Sequence, residues 1–287
     1  MRISRHIEAW VARTLAVGAA LVLGVAQVSA DAPQRVVSIN LCTDQLAMML
    51  ADEGQLISVS RIALDSHVSA MAAQAKAYRI NYGQAEDIYL MQPDLVLAGE
   101  YTPPSTIDML RGLGITVEIF KITASLDGVT EQLAKMGKVL HRDAQATAMI
   151  ANFNERRAAL AKDVKTRPKA IFYYANGLTS GAGSLANEIL DLAGFSNAAI
   201  EAGYGWGRKL PLEVLALTDP DLVITSTPYP GGSRAEDVMQ HPAVRALQHN
   251  TATAAVTDHD WVCGTPFVLR AAEQLADVRR QITGAAP

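Results

Sequence analysis

Apolar residues recur at two different spacings along this chain, and the two spacings alternate through both halves. Continuous apolar runs such as Leu95–Ala98 and Leu222–Ile224 are typical of strands buried on both faces of a parallel sheet. Stretches with apolar residues three or four positions apart, such as Ser184–Ala193 and Val268–Ile282, indicate helices. This alternation predicts an α/β fold of mainly parallel sheets with helices on both faces.

The remaining elements follow from the same patterns. In the first half we predict strands at Arg35–Ile39, Leu56–Val59 and Thr116–Phe120, and helices at Asp44–Ala51 and Ser105–Gly112. In the second half we predict strands at Ala170–Tyr174 and Ala254–Val256.

The residues Pro-Asp-Leu-Val occur twice, at Pro93–Val96 and Pro220–Val223, and a glutamate precedes each proline by seven residues. Proline ends a helix, so each copy predicts a helix that begins near Glu86 or Glu213 and leads into a buried strand. The copies are 127 residues apart, which is too far for stacked repeats. We therefore expect two α/β lobes of similar design, with a ligand in the cleft between them.

One long helical stretch, Asp143–Val164, lies between the halves, and Asp143 is its expected N-cap. Its apolar residues fall largely on one stripe: Ala146, Met149, Ile150, Phe153, Leu160 and Val164. A helix of this length spans about 33 Å. We predict that the segment 141–167 links an N-terminal lobe at 31–140 to a C-terminal lobe at 168–287, and that this rigid connection limits lobe closure.

The N-terminus has the pattern of a secretory signal peptide. Three arginines precede an uncharged apolar stretch from Thr14 to Ala26, and Val28-Ser29-Ala30 matches a small-residue cleavage site. The apolar stretch is shorter than a membrane span, and no cysteine follows the cleavage site to carry a lipid. We therefore expect Met1–Ala30 to be removed and the mature protein to work in the periplasm without a lipid anchor.

Charge argues against some classes of partner. The full chain has a formal net charge of −4, and removal of the three arginines and one glutamate of Met1–Ala30 leaves −6. No cluster of lysine and arginine stands out, so nucleic acid is not an expected partner. No Walker loop, zincin motif or Gly-x-Ser-x-Gly elbow occurs, and Gly181-Ala-Gly183 lacks the third glycine of a nucleotide loop. We expect no enzymatic activity; an exported α/β hydrolase is the alternative.

The order of motifs along the mature chain resembles that of the periplasmic substrate-binding proteins of ABC importers for iron chelates and vitamin B12. The segments that carry the resemblance are Arg35–Asn40, Glu86 with Pro93–Gly99, the long central helix, Ser180–Gly194, Leu210–Leu215 and Trp261–Ala276. The resemblance implies two Rossmann-like lobes joined by one backbone helix, with a ferric chelate of siderophore type or a corrinoid bound between them. It also implies a monomer that delivers its ligand to an inner-membrane permease dimer, and that Glu86 and Glu213 dock onto arginines of the two permease subunits.

Ligand contacts are expected just after the carboxyl ends of the strands. The predicted ligand-binding residues are Asn40, Cys42, Arg61, Tyr82, Tyr101, Trp206, Arg208, Trp261 and Cys263. Glu100, Asn176 and Tyr229 occupy similar positions. Aromatic walls with few charges suit a large planar chelate, and the two arginines could pair with its anionic groups.

Direct metal binding is not expected. The six histidines show no metal-ligand spacing: His6, His67, His141, His241, His249 and His259. The alternatives within the same fold are a haem-binding protein, with His67 or His259 as axial ligand, and a protein for bare metal ions.

Cys42 and Cys263 both follow predicted strands, one in each lobe, in an oxidising compartment. Three interpretations are open: two buried thiols that never meet, a disulfide across the cleft floor, or two residues that contact a ligand or soft metal. We expect reduced thiols in the open protein, because a bond across the cleft would obstruct entry of the ligand.

Overall fold

The computed structural model has two separate parallel sheets, which correspond to the two halves of the sequence. It describes residues 31–162, 164, 166–205, 207–228, 231–256 and 258–284. The expected signal peptide and Trp206 and Tyr229 lie outside the described residues. None of the helices within those ranges is both long and apolar enough to cross a bilayer.

The first lobe holds a five-stranded sheet in the order β3-β2-β1-β4-β5, with all neighbours parallel. Its strands are β1 Val36–Ser38, β2 Leu56–Ser60, β3 Arg79–Asn81, β4 Leu95–Gly99 and β5 Thr116–Phe120. Its helices are α1 Leu41–Leu50, α2 Ala72–Ala75, α3 Ala85–Tyr89, α4 Pro104–Gly112 and α5 Leu126–Leu140, with a 3₁₀ turn at Arg61–Leu64.

The second lobe holds a parallel four-stranded sheet in the order β11-β10-β6-β8 and a small antiparallel pair, β7 with β9. Its strands are β6 Lys169–Phe172, β7 Leu178–Thr179, β8 Ser196–Asn197, β9 Arg208–Lys209, β10 Leu222–Ser226 and β11 Ala252–Val256. Its helices are α7 Leu185–Leu192, α8 Ala198–Glu201, α9 Leu212–Leu217, α10 Pro242–Asn250 and α11 Val268–Thr283, with 3₁₀ turns at Ala175–Gly177, Arg234–Gln240 and Asp258–Asp260.

A single long helix, α6 Asp143–Lys162, connects the two lobes, so the predicted fold class is confirmed. It ends two residues before the predicted end at Val164. Val164 has left the helix and lies against Gly194, where an added β-carbon would come within 2.9 Å of its methyl group. The boundaries proposed for the lobes, 31–140 and 168–287, stay a prediction.

The largest hydrophobic cluster is continuous through both lobes. It runs from Val36 and Leu97 of the first sheet through Phe153 of α6 to Phe172 and Ile224 of the second. Smaller clusters cover the other face of each sheet, around Val96 and around Val223 respectively. The lobes are therefore joined by shared apolar packing as well as by the chain.

The aspartates of the two Pro-Asp-Leu-Val copies make the same contact in both lobes. Asp94 Oδ1 accepts a hydrogen bond from the N–H of Arg35 at 3.0 Å, and Asp221 Oδ2 accepts one from the N–H of Lys169 at 2.8 Å. Asp94 thus joins the start of β4 to the start of its parallel neighbour β1. Asp221 joins the start of β10 to the start of its parallel neighbour β6 in the same way. The sequence repeat is therefore also a repeat of structure.

Candidate functional site

A cavity of about 630 Å³ lies where the carboxyl ends of the strands of both lobes meet. The first lobe contributes residues that follow β1, β4 and β5, and the second lobe residues that follow β6 and end β10. The start of α7 and the loop before α11 complete the wall. This is the position at which parallel α/β sheets bind ligands, and the volume is in the usual range for small-molecule sites.

Four of the predicted ligand-binding residues line this cavity: Asn40, Cys42, Tyr101 and Trp261. Glu100 and Asn176, also expected at strand ends, line it as well. Cys263 is buried directly between two lining residues, Val262 and Gly264. The rule that ligands lie beyond strand ends therefore brings together residues from distant parts of the sequence.

Three other predicted residues do not line the cavity. Arg61 and Tyr82 follow β2 and β3, which continue the same edge of the first sheet away from the cavity, and both are exposed. Arg208 lies exposed in the small antiparallel pair, opposite Thr179. Their contact with a ligand stays a prediction.

Asn40 holds the first turn of α1 in place at the cavity wall. Its Oδ1 accepts hydrogen bonds from the N–H of Cys42 at 3.0 Å and of Thr43 at 3.4 Å, as an N-cap does. Its side-chain amide lies against Gly99, where an added β-carbon would come within 2.6 Å of Nδ2. Glycine at the end of β4 is thus required for this approach.

Only two of the described lining residues carry a formal charge, Glu100 and Lys121. The carboxylate of Glu100 accepts a hydrogen bond from the N–H of Ile122, which links the loops after β4 and β5. The remaining polar lining groups are amides and hydroxyls, among them Asn176 and Ser180. The wall is therefore nearly neutral.

Aromatic side chains form one wall of the cavity. The ring of Trp261 lies 5.2 Å from that of Phe172 and 6.1 Å from that of Tyr174, centroid to centroid. Trp261 is 9% exposed, whereas Tyr101, on the opposite lobe, is 77% exposed. The packed ring of Trp261 lies on one side of the cavity and the exposed phenol of Tyr101 on the other. A ligand with a flat apolar face suits this arrangement.

Cys42 and Cys263 form a disulfide, with their Cα atoms 5.1 Å apart, so the expectation of reduced thiols is wrong. The expectation assumed that a bond across the cleft would obstruct entry of the ligand. Cys42 instead lies in the first turn of α1, and Cys263 is buried in the loop before α11, so the bond joins the lobes at the inner wall of the cavity.

Other contacts between the lobes lie beside the disulfide. Gly264 packs so closely on Thr123 that an added β-carbon would be 2.1 Å from the threonine Cβ. Glu188 of α7 accepts a hydrogen bond from the N–H of Leu126, the first residue of α5, at 2.6 Å. Together with α6 these contacts connect the two walls of the cavity.

Several lining residues were not predicted from the sequence, chiefly Lys121 and Thr123 in the loop after β5, and Tyr174 and Ser184 in the second lobe. The strand at Thr116–Phe120 was predicted, so the rule for strand ends would have found Lys121. Ser184 caps α7 by accepting a hydrogen bond from the N–H of Asn187, and a serine before an apolar run is a recognisable signal.

Glu86 and Glu213 occupy equivalent positions outside the cavity lining. Each is the second residue of its short helix, α3 or α9, and each is exposed. Within the part of the chain that the structure describes, neither forms an ion pair.

No group of three or more His, Cys, Asp or Glu side chains among the described residues is arranged to hold a metal ion. His67 and His259 do not line the cavity. His67 lies near Asp65, and Nδ1 of His259 lies 3.1 Å from the carbonyl oxygen of Ser66.

Asp44 of α1 is fully buried next to the cavity residue Thr43. It accepts hydrogen bonds from the N–H of Ser60 at 3.1 Å and from the Ser60 hydroxyl. Burial raises the pKa of Asp44 from 3.8 to about 7, although hydrogen bonds from Ser38 and Ser60 act in the opposite direction. The carboxyl group is therefore held largely neutral in the folded protein below that pH.

We expect the free energy of unfolding to fall as the pH rises from about 4 to about 7, by up to about 1.4 kcal/mol per pH unit, because the folded state holds the Asp44 proton while the unfolded chain releases it. Asp44→Asn should flatten this slope, as measured by urea unfolding at pH 4 to 7. The matched control is Asp108→Asn, at an exposed position of α4. Equal slopes for wild type and Asp44→Asn would contradict the expectation.

Comparison with known proteins agrees with this architecture. Residues 36–254 match the model of the periplasmic binding protein family. A cobalamin-binding protein of Halobacterium salinarum is 29% identical over 198 residues, which are 67% of this chain and 54% of that protein. The chain thus spans about half the length of this curated relative.

Two further proteins match over most of their length. A vitamin B12-binding protein of Yersinia pestis is 24% identical over 265 residues, 90% of each chain. The structure of the periplasmic haem-binding protein HutB of Vibrio cholerae superposes with a TM-score of 0.70 at 19% identity, covering 86% of this chain and 98% of that one. Since the family model covers most of the sequence, the chain belongs to the periplasmic binding protein family.

Proposed function

We propose that this protein is the periplasmic solute-binding component of an ABC importer and that it captures a corrinoid of the cobalamin type. The observation that carries the proposal is the nearly neutral, aromatic-walled cavity at the junction of the two lobes. The exported chain would bind its ligand there and deliver it to a permease dimer through the lobe surfaces at Glu86 and Glu213.

The chemistry of the wall supports a corrinoid. A corrin ring is large and flat and carries neutral amide side chains, so it needs apolar contact and hydrogen bonds more than countercharges. Trp261 and Tyr174 supply ring faces, and Asn40, Asn176 and Ser180 supply amide and hydroxyl groups. The relatives from Halobacterium and Yersinia that are named for cobalamin or vitamin B12 support the same choice.

Haem is the second candidate, because Tyr101 presents a phenol at the cavity. Its side chain is 77% exposed, and tyrosine is a known axial ligand of haem iron. The haem-binding protein of Vibrio cholerae shares the fold. His67 and His259 do not line the cavity, whereas Tyr101 lines it and is exposed.

Titration of the purified protein with cyanocobalamin, haemin and a ferric hydroxamate, followed by tryptophan fluorescence and visible absorbance, tests the proposal. We expect cyanocobalamin to bind most tightly. Tyr101→Ala should weaken that binding by about 1–2 kcal/mol because a ring face is lost. Tyr101→Phe should leave it unchanged.

The matched control is Tyr89→Ala, an exposed tyrosine outside the cavity lining. If haem is the ligand, haemin binds instead, and Tyr101→Phe removes the absorbance band of the phenolate–iron bond. Binding of none of the three chelates, or turnover of model esters, would overturn the proposed function.

A further inference from the structure

Each copy of the sequence repeat exposes a leucine on the same helix face as its glutamate. Leu90 is 74% exposed and Leu217 is 84% exposed, so both rank among the most exposed large apolar side chains of the described residues. Each stands four residues after its glutamate, Glu86 or Glu213, a spacing that places both side chains on one face of a helix. A single exposed leucine is ordinary, but the same leucine in two copies is a shared feature.

The backbone around the two leucines is also equivalent. The residue directly before the proline has a left-handed conformation in both copies, with φ of 50° at Gln92 and 42° at Asp219. Such values are unusual for residues other than glycine. This turn ends each helix and brings the next residue, Pro93 or Pro220, into a buried position. The leucine three residues before the proline is left on the outer surface.

Side chains on the opposite face of each helix are buried. Ile88 and Leu215, two residues after the glutamates, are 0% and 2% exposed respectively. The helices α3 and α9 therefore hold their inner face in the core and leave a glutamate and a leucine on the outer face. We call these outer pairs, Glu86 with Leu90 and Glu213 with Leu217, the two Glu-Leu patches.

We propose that the two Glu-Leu patches form one bipartite docking surface whose leucines enter apolar recesses of the importer's membrane subunits. The proposal rests on the proposed function. Two equivalent patches on one monomer fit a partner that presents the same surface twice, as a two-fold dimer does. Neither carboxylate has an ion-pair partner among the residues that the structure describes, so each favours a partner with a cation beside the recess. The leucines supply the apolar area that an exposed ion pair lacks.

The test measures binding of the ligand-loaded protein to the permease dimer of the same organism, held in lipid nanodiscs. Leu90→Ser and Leu217→Ser should each weaken binding about ten-fold, and the double variant about a hundred-fold, because the two leucines lie in different lobes and effects at separate sites add. Affinity for cyanocobalamin or haemin should not change, since neither leucine lines the cavity. The matched control is Leu113→Ser, a leucine after α4 that is 45% exposed.

The outcomes separate this inference from the proposed function. If the wild-type protein binds the permease and the leucine variants bind equally well, the inference is wrong and the importer role stands. Clearly unequal losses from the two single variants would contradict the two-fold match. If wild type does not bind the permease, the proposed function fails, and the inference with it. Sedimentation that shows a wild-type dimer dissociated by the leucine variants would assign the patches to a second copy of this chain and overturn the inference.

Discussion

Removal of the disulfide is expected to lower the free energy of unfolding by about 5 kcal/mol, because the bond closes a loop of more than two hundred residues in the unfolded chain. The two cysteines are separated by 221 positions. Urea unfolding of Cys42→Ser, of Cys263→Ser and of the double variant measures the effect. All three should lose a similar amount, since each lacks the same bond.

The control for side-chain packing is the wild-type protein with and without a reductant. Reduction keeps both sulfur atoms, so it isolates the effect of the covalent bond from that of the substituted side chain. Equal stability of the oxidised and reduced protein would show that packing, and not the bond, holds the lobes together. The continuous core that runs through Phe153 and Phe172 is the structural basis for that outcome.

Charge reversal at both proposed docking positions, Glu86→Lys with Glu213→Lys, is expected to abolish uptake and to leave ligand affinity unchanged. Both side chains are exposed and neither lines the cavity, so the substitutions should affect only the contact with a partner. Opposite charges in that contact would become like charges, which are strongly unfavourable at an interface. Uptake of radiolabelled cyanocobalamin or haemin by cells that carry only the variant measures the effect.

The control is a double variant with the same change of charge at exposed glutamates elsewhere, Glu131→Lys with Glu155→Lys on α5 and α6. It should transport as wild type does. Loss of ligand binding in the docking variant would instead mean that Glu86 and Glu213 support the fold of the site. Normal uptake by the docking variant would remove both residues from the proposed docking surface.

Regular elements were predictable where a buried face imposes a clear pattern. The strand Thr116–Phe120 has its predicted bounds, and the buried β4 and β10 follow the two Pro-Asp pairs as expected. Helix α5 was missed, although Leu126, Val129, Leu133, Met136 and Leu140 recur at helical spacing and are buried. Ser125, which caps it by accepting a hydrogen bond from the N–H of Gly128, was a usable signal.

Site residues were predictable only as far as local sequence determines position. Asn40, Tyr101 and Trp261 follow strands or precede helices, and the fold brings them to one cavity. The distance between Cys42 and Cys263 depends instead on how two lobes meet, which no local pattern encodes. That is why the cysteines were placed on the correct side of each lobe and yet given the wrong bonding state.

The disulfide also changes the covalent topology of the molecule. With Cys42 bonded to Cys263, the chain between the two cysteines forms a closed ring, which includes α6 and every strand of the described residues except β1. A single cut by a protease in a surface loop, such as the exposed turn at Gly231–Ser233, leaves both fragments covalently attached. In such a molecule one cut opens the ring but does not separate the lobes, so the cavity they share can survive damage that would split a linear two-lobed chain.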